Sequence, residues 1–182
     1  MWDNIEYTDN FLEEHIAQLI DMQLREVSWK YEYDSVKGGT NKHWHLFLGH
    51  NVEEIGDYAP IWSQINSKYN YEMERAYLNA HTHGIEPHIH RDDGDMTFIY
   101  YPRMDWKNDW GGGTVIYDND VKDITHHINY KGNRLIKFPA ALPHQAQPVA
   151  KSCLDLRMCI VFKLWCKDGN RERLDFYKDK IS

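Results

Sequence analysis

Hydrophobic positions in residues 1–72 recur at near-helical spacing. Phe11, Leu12, Ile16, Leu19, Ile20 and Val27 fall on one helix face, Glu13 and Glu14 sit in the first turn, and Thr8, Asp9 and Asn10 offer capping oxygens. A second helix is expected from near Asp57, with Pro60 early in it and Ile61, Trp62, Ile65 and Tyr69 on its buried face. Between them, 37–41 (Lys-Gly-Gly-Thr-Asn) reads as a loop.

From Met73 the pattern changes to short β-prone runs, at 73–79, 85–90, 96–101, 114–117, 126–130, 134–138, 145–149 and 156–165. Turn residues separate them at 92–95, 111–113, 131–133 and 139–143. Short strands following a helical segment predict an α+β, mainly β fold: a jelly-roll sandwich with the helices packed on one sheet. There is no internal repeat and no Pro/Gly/Ser linker, so the 182 residues are expected to form one domain. In it, 1–72 would be mostly helical support, 73–166 the jelly-roll core and 167–182 a C-terminal extension.

Composition narrows the function classes. The net charge is −7, and there are no Lys/Arg blocks of the kind that neutralise phosphates, which argues against nucleic acid or an anionic membrane as partner. No apolar run approaches the ~20 residues of a membrane span, and the first ten residues lack a signal-peptide pattern, so a cytoplasmic protein is expected. Cys153, Cys159 and Cys166 are expected as reduced, structural thiols. The sequence does not set an oligomeric state.

The first candidate for chemistry is His90-Arg91-Asp92, on the end of a predicted strand. Side chains alternate along a strand, so His88, His90 and Asp92 would share a face, and any neighbouring pair of them could bind one metal. The motif alone is weak, because 11 His and 17 Asp in this chain make about one H-x-D triplet expected by chance. Position adds weight. His144, after Pro143 and directly before another predicted strand, could complete two imidazoles and one carboxylate, a set that leaves coordination places open and suits non-heme Fe(II). A third ingredient is Arg157, in the apolar run 156–165. A guanidinium there is costly unless it meets an anion, and its planar fork suits a carboxylate.

Further stretches accompany these residues in order: Thr97-Phe98-Ile99-Tyr100-Tyr101, Trp106, Trp110-Gly111-Gly112-Gly113-Thr114-Val115, Asn133-Arg134-Leu135-Ile136-Lys137-Phe138, and Pro143-His144-Gln145-Ala146-Gln147-Pro148. From Glu86 to Trp165 the chain thereby resembles the iron(II)- and 2-oxoglutarate-dependent dioxygenases, in their prolyl-hydroxylase-like branch. The resemblance implies a double-stranded β-helix, with Fe(II) held by His90, Asp92 and His144. It also implies 2-oxoglutarate as cosubstrate, bound through its distal carboxylate by Arg157 and Tyr101, with Tyr77 a further candidate although the stretch from Tyr77 to His90 is longer than the family spacing. Val115 and Ala146 would form apolar walls, and O2 would be consumed, with ascorbate as a possible reductant. His88 departs from the pattern as a competing ligand.

The implied reaction is hydroxylation of an unactivated C–H bond, favoured on a prolyl or similar residue of a peptide or protein, with release of succinate and CO2. Arg91, Arg103 and Trp110 are the candidate substrate contacts, although Trp106 and Trp110 could equally cover the end of a sheet. His81, His83, His126 and His127 are expected at the surface or in hydrogen-bonded loops, and His43 and His45 on the helical layer. Two alternatives stay open: the same chemistry on a free amino acid or small metabolite, and a non-catalytic jelly-roll binding module.

Overall fold

The computed structural model describes residues 4–36 and 38–167; the expected extension at 167–182 lies almost wholly outside them. In chain order the elements are β1 (Glu6–Asp9), α1 (Glu14–Arg25), β2 (Lys30–Tyr33), β3 (His43–Gly49), α2 (Ala59–Lys68), β4 (Tyr71–His81), β5 (Met96–Tyr101), β6 (Thr114–Tyr117), β7 (Ile124–Ile128), β8 (Arg134–Pro139), β9 (His144–Ala146) and β10 (Arg157–Cys166). Seven strands form one sheet in the order β1-β8-β5-β10-β4-β3-β2, and three form a second in the order β7-β6-β9. Among the described residues no helix is long and apolar enough to cross a membrane.

The central strand β10 shows why the sandwich has two cores. It is buried over its first eight residues and pairs antiparallel with β4 on one side and β5 on the other. Its alternate side chains Met158, Ile160, Phe162 and Leu164 join Ile20 and Leu24 of α1 and Ile61 and Ile65 of α2 in a helix-facing core. The intervening Cys159 and Val161 face the other way, into a core shared with Tyr77, Ile99, Ile116 and Phe138. A strand buried on both faces reads as a continuous apolar run, which is what residues 156–165 display. Arg157 and Lys163 are the two cations on its inward face, at 1% exposure each.

Several expectations change at the N-terminal end. Residues 1–72 are not mostly helical support, because β1, β2 and β3 extend the larger sheet at its two edges. Both outer strands are four residues long, and every residue of β2 is exposed, so they carry no buried alternation to mark them. In β3, Trp44, Leu46 and Leu48 pack toward the helices. His43 and His45 therefore occupy the opposite face, where His45 stacks on Tyr33 at 4.1 Å and hydrogen-bonds Asn79 at 2.8 Å.

No side chain caps α1, whose N-cap is Glu13. Asp9 instead pairs with Arg134 at 2.6 Å and Lys131 at 2.8 Å, and Asn10 takes the left-handed region at φ 50°. Asn133 organises the entry to the helix. Its side chain accepts from the Leu12 N–H at 2.9 Å and donates to the Leu12 carbonyl at 2.8 Å, while the Tyr100 hydroxyl donates to it at 3.1 Å.

Candidate metal centre

Residues 85–90 do not form the strand expected of them. Pro87 lacks the N–H a ladder needs, and only His90 bridges, exchanging backbone hydrogen bonds with His144 at 3.0 and 2.9 Å. That bridge sets the two imidazoles side by side, ring centroids 4.5 Å apart. Asp92 is anchored by its own N–H on the Ala140 carbonyl at 2.9 Å.

The tautomers follow from the hydrogen bonds. His90 Nδ1 lies 2.9 Å from the carbonyl of His88, and His144 Nδ1 lies 2.9 Å from the carbonyl of Leu142. A carbonyl only accepts, so each Nδ1 carries the proton and each Nε2 presents a lone pair. The Nε2 of His90 is 3.6 Å from Asp92 Oδ1, and that of His144 is 3.2 Å from Asp92 Oδ2. The three ligand atoms lie within 4.8 Å of one another, the one such group among the described residues.

Burial keeps both rings neutral. It pulls His144 down to about 4, and together with the neighbouring His144 it pulls His90 down to about 3. Two neutral imidazoles oriented by backbone carbonyls and one carboxylate are a donor set that fits Fe(II). His88 contributes its carbonyl to this arrangement, and its ring lies 3.8 Å from Asp34, outside the group formed by His90, Asp92 and His144.

The three residues line a cleft together with Tyr77, Asn79, Ile99, Ala146, Val161 and Arg157. Arg157 donates through Nε to the Gly112 carbonyl at 2.6 Å and through Nη1 to Cys159 Sγ at 3.4 Å. Gly112, at φ 75°, is required here: a Cβ would stand 3.2 Å from Arg157 Cγ and 3.2 Å from Trp106. The guanidinium lies 5.5 Å from the centroid of the Tyr101 ring, and the Tyr101 hydroxyl hydrogen-bonds Thr114 at 2.6 Å. Among the described residues no carboxylate pairs with Arg157, so a buried cation is left facing the cleft, an arrangement that fits the carboxylate of an acid cosubstrate.

Other sequence expectations find different places. Arg103 is 2% exposed and committed to protein partners: it bonds Asp105 at 3.0 Å and the Leu156 carbonyl at 3.1 Å, with Asp21 and Asp155 close by. It therefore has no place among the substrate contacts. The guanidinium of Arg91 donates to the carbonyls of Ala141 and Asn119, tying two loops together. Trp110 packs edge-on against Trp106 at 5.1 Å and does not line the cleft. Val115 is not a wall either, since Thr114 faces the cleft and the next side chain points to the other face of the sheet. His81 is buried on β4 and lines the cleft, not the surface.

Two residues at the site escaped sequence reasoning. Thr97 Oγ donates to Asp92 Oδ2 at 2.6 Å, and the Lys163 amine contacts the same oxygen. The signal for Lys163 was present: it stands an even number of residues after Arg157 in an apolar strand, so both must face the same way. Desolvation, with Arg75 adding to it, pulls the Lys163 amine well below the usual lysine range, while contact with Asp92 favours its charged form.

Residues 67–165 match the family model described as the 2OG-Fe(II) oxygenase superfamily. No curated protein matches the chain in sequence. Among solved structures, a Trichoplax adhaerens prolyl hydroxylase, in complex with a hypoxia inducible factor oxygen degradation domain peptide fragment, is similar with a TM-score of 0.68 at 16% identity, covering 91% of this chain and 84% of that one. A 2OG-Fe(II) oxygenase family oxidoreductase from Burkholderia pseudomallei gives 0.68 at 12%, covering 90% and 85%. A Pseudomonas putida prolyl-4-hydroxylase gives 0.62 at 12%, covering 88% and 92%. These likenesses show a shared jelly-roll fold. The family match spans more than half of the sequence and contains every candidate ligand, so the chain belongs to the 2OG-Fe(II) oxygenase superfamily and is a 2-oxoglutarate-dependent dioxygenase.

Proposed function

We propose that the chain hydroxylates an unactivated C–H bond of a prolyl or similar residue in a peptide or protein, converting 2-oxoglutarate and O2 to succinate and CO2. The observation that carries this reading is the convergence of His90 Nε2, Asp92 and His144 Nε2 on one cleft that also holds a buried guanidinium without a carboxylate partner. His90, Asp92 and His144 would hold Fe(II), and Arg157 would take the distal carboxylate of 2-oxoglutarate. Tyr101 lies next to Arg157, its ring centroid 5.5 Å from the guanidinium, and would be the nearer hydroxyl. Tyr77 lines the same cleft further along β4, opposite Val161, and burial holds the phenol of each above its ordinary range and hence neutral. Bound together, iron and the oxo acid supply the oxidising power for C–H cleavage.

The residues of the chain contribute orientation and exclusion. Arg157 is fixed by Gly112 and Cys159, so its remaining donors are already aimed when the cosubstrate arrives. Ile99, Val161 and Ala146 line the cleft with apolar surface and limit water around the reacting centre. A peptide substrate is supported by the fold shared with prolyl hydroxylases, one of them bound to a peptide fragment. It is also supported by the exposed Tyr31, Tyr33 and Val36 close in sequence to Ser35, which lines the cleft.

The test incubates purified protein with Fe(II), ascorbate and 2-oxoglutarate, with either proline-containing peptides or free amino acids as acceptors. Succinate formation, with one oxygen added to a peptide, is the expected result. Oxygen added only to free amino acids would move the substrate to small metabolites. Absence of both 2-oxoglutarate binding and succinate would overturn the enzyme reading.

A further inference from the structure

The Lys163 amine, 1% exposed, lies against Asp92 Oδ2 and 3.2 Å from Thr97 Oγ, which itself donates to that oxygen at 2.6 Å. The Asp92 side chain is only 7% exposed. Its other neighbours in the ligand set are two neutral imidazoles, so without a cation the carboxylate would be a buried, uncompensated charge. Arg75, the register partner of Lys163 on β4, does not serve it, because Arg75 pairs with Glu74 and Asp93. The chain thus carries its own countercharge for a group whose countercharge is expected to be the metal.

We propose that Lys163 is a positioning residue and built-in counter-ion for Asp92: it holds the carboxylate through Oδ2 in the metal-free protein, leaves Oδ1 for the metal, and lowers the affinity of the site for divalent ions. The inference rests on the reading that His90, Asp92 and His144 hold the metal. Two consequences separate it from a merely structural lysine. With Oδ2 occupied by two donors, Asp92 binds through one oxygen, which keeps coordination places open for a bidentate cosubstrate. The ammonium also repels an incoming dication, so its removal strengthens metal binding, whereas loss of a structural contact would weaken it or leave it unchanged.

The experiment compares full-length wild type with Lys163→Met and Lys163→Gln, each stripped of metal by chelation, using calorimetric titration with Mn(II) and thermal unfolding before and after its addition. Both variants are expected to bind Mn(II) about tenfold more tightly or better, the lower limit that Coulomb's law gives for one charge a few ångströms from a dication. Their metal-free melting temperatures should fall, and Mn(II) should raise them by more than it raises wild type. Unchanged or weaker Mn(II) binding in both variants, with wild type binding normally, overturns the inference. Failure of wild type itself to bind Mn(II) overturns instead the ligand assignment beneath it. Should neither single variant fold without metal, Lys163→Met combined with Asp92→Asn removes the charge and its partner together: recovery of folding supports the pairing, and continued failure overturns it.

Discussion

His90 and His144 use one device twice. Each Nδ1–H is held by the carbonyl two residues before it, on His88 and Leu142, so the ring is oriented by its own local chain while the long-range bridge between the two residues sets their spacing. Arg157 is fixed in a comparable way by the Gly112 carbonyl, and this gives a directional expectation. Arg157→Ala should weaken 2-oxoglutarate binding by about 30-fold or more, equivalent to roughly 2 kcal/mol for a hydrogen-bonded charge, while Mn(II) affinity stays near wild type. Arg157→Lys should recover part of the loss, since it restores charge but not the fork. Titration calorimetry with each ligand separates the two effects.

His43 gives a pH expectation. Burial, and then the nearby His45, pull it from 6.5 to about 4, so in the folded state it resists a proton that the unfolded chain accepts readily. Its contribution to stability is therefore complete above about pH 6.5 and is lost as pH falls toward 4. His81, lowered chiefly by burial, acts in the same direction. Between pH 7.5 and 5 the His43 contribution should fall by about 2 kcal/mol. Denaturant melts of wild type across this range should show the loss, and His43→Phe should show a flatter profile; parallel profiles would refute this assignment.

At the scale of elements, what was legible in the sequence depended on burial. Met96–Tyr101 and Thr114–Tyr117 lie where their apolar runs place them, because β5 is buried at every residue and β6 at all but its last, and Gly111–Gly113 precede the latter. The edge strands β1 and β2 were invisible, since four exposed or half-buried residues have no periodicity to read and are held by pairing and by surface contacts such as Asp9–Arg134 and Tyr33–His45. The stretch before His90 failed for a different reason: Pro87 and the left-handed Gly84 break a run whose composition is otherwise β-prone. The junction between α1 and the sheet rests on Asn133, at φ 58°. Asn133→Ala should cost about 2–4 kcal/mol by removing the bonds to Leu12 and Tyr100 and straining the backbone. Asn133→Gly should recover only the backbone part, a difference that chemical denaturation would measure.

At the scale of the whole molecule, the larger sheet separates support from chemistry. One face carries α1 and α2, and the other carries Tyr77, Arg157, Val161 and Lys163 toward the cleft. The candidate metal ligands stood out because the family motif marks them, and Arg157 because a cation in an apolar strand demands a partner. The same physical argument applied to Lys163, but no motif drew attention to it, and only the folded geometry brings it to Asp92. Substrate contacts were the least legible, since Arg103, in sequence a free cation, is held by the neighbouring Asp105 and by Asp21 and Asp155 from two distant segments. The central claim is that one cleft holds the metal through His90, Asp92 and His144 and the oxo acid through Arg157. The most direct measurement is anaerobic calorimetric titration of 2-oxoglutarate into the protein with and without Mn(II). The account predicts one cosubstrate per chain, tight binding only with metal present, and loss of that metal dependence in Asp92→Ala. Equal binding with and without Mn(II), or unchanged metal dependence in Asp92→Ala, would contradict it.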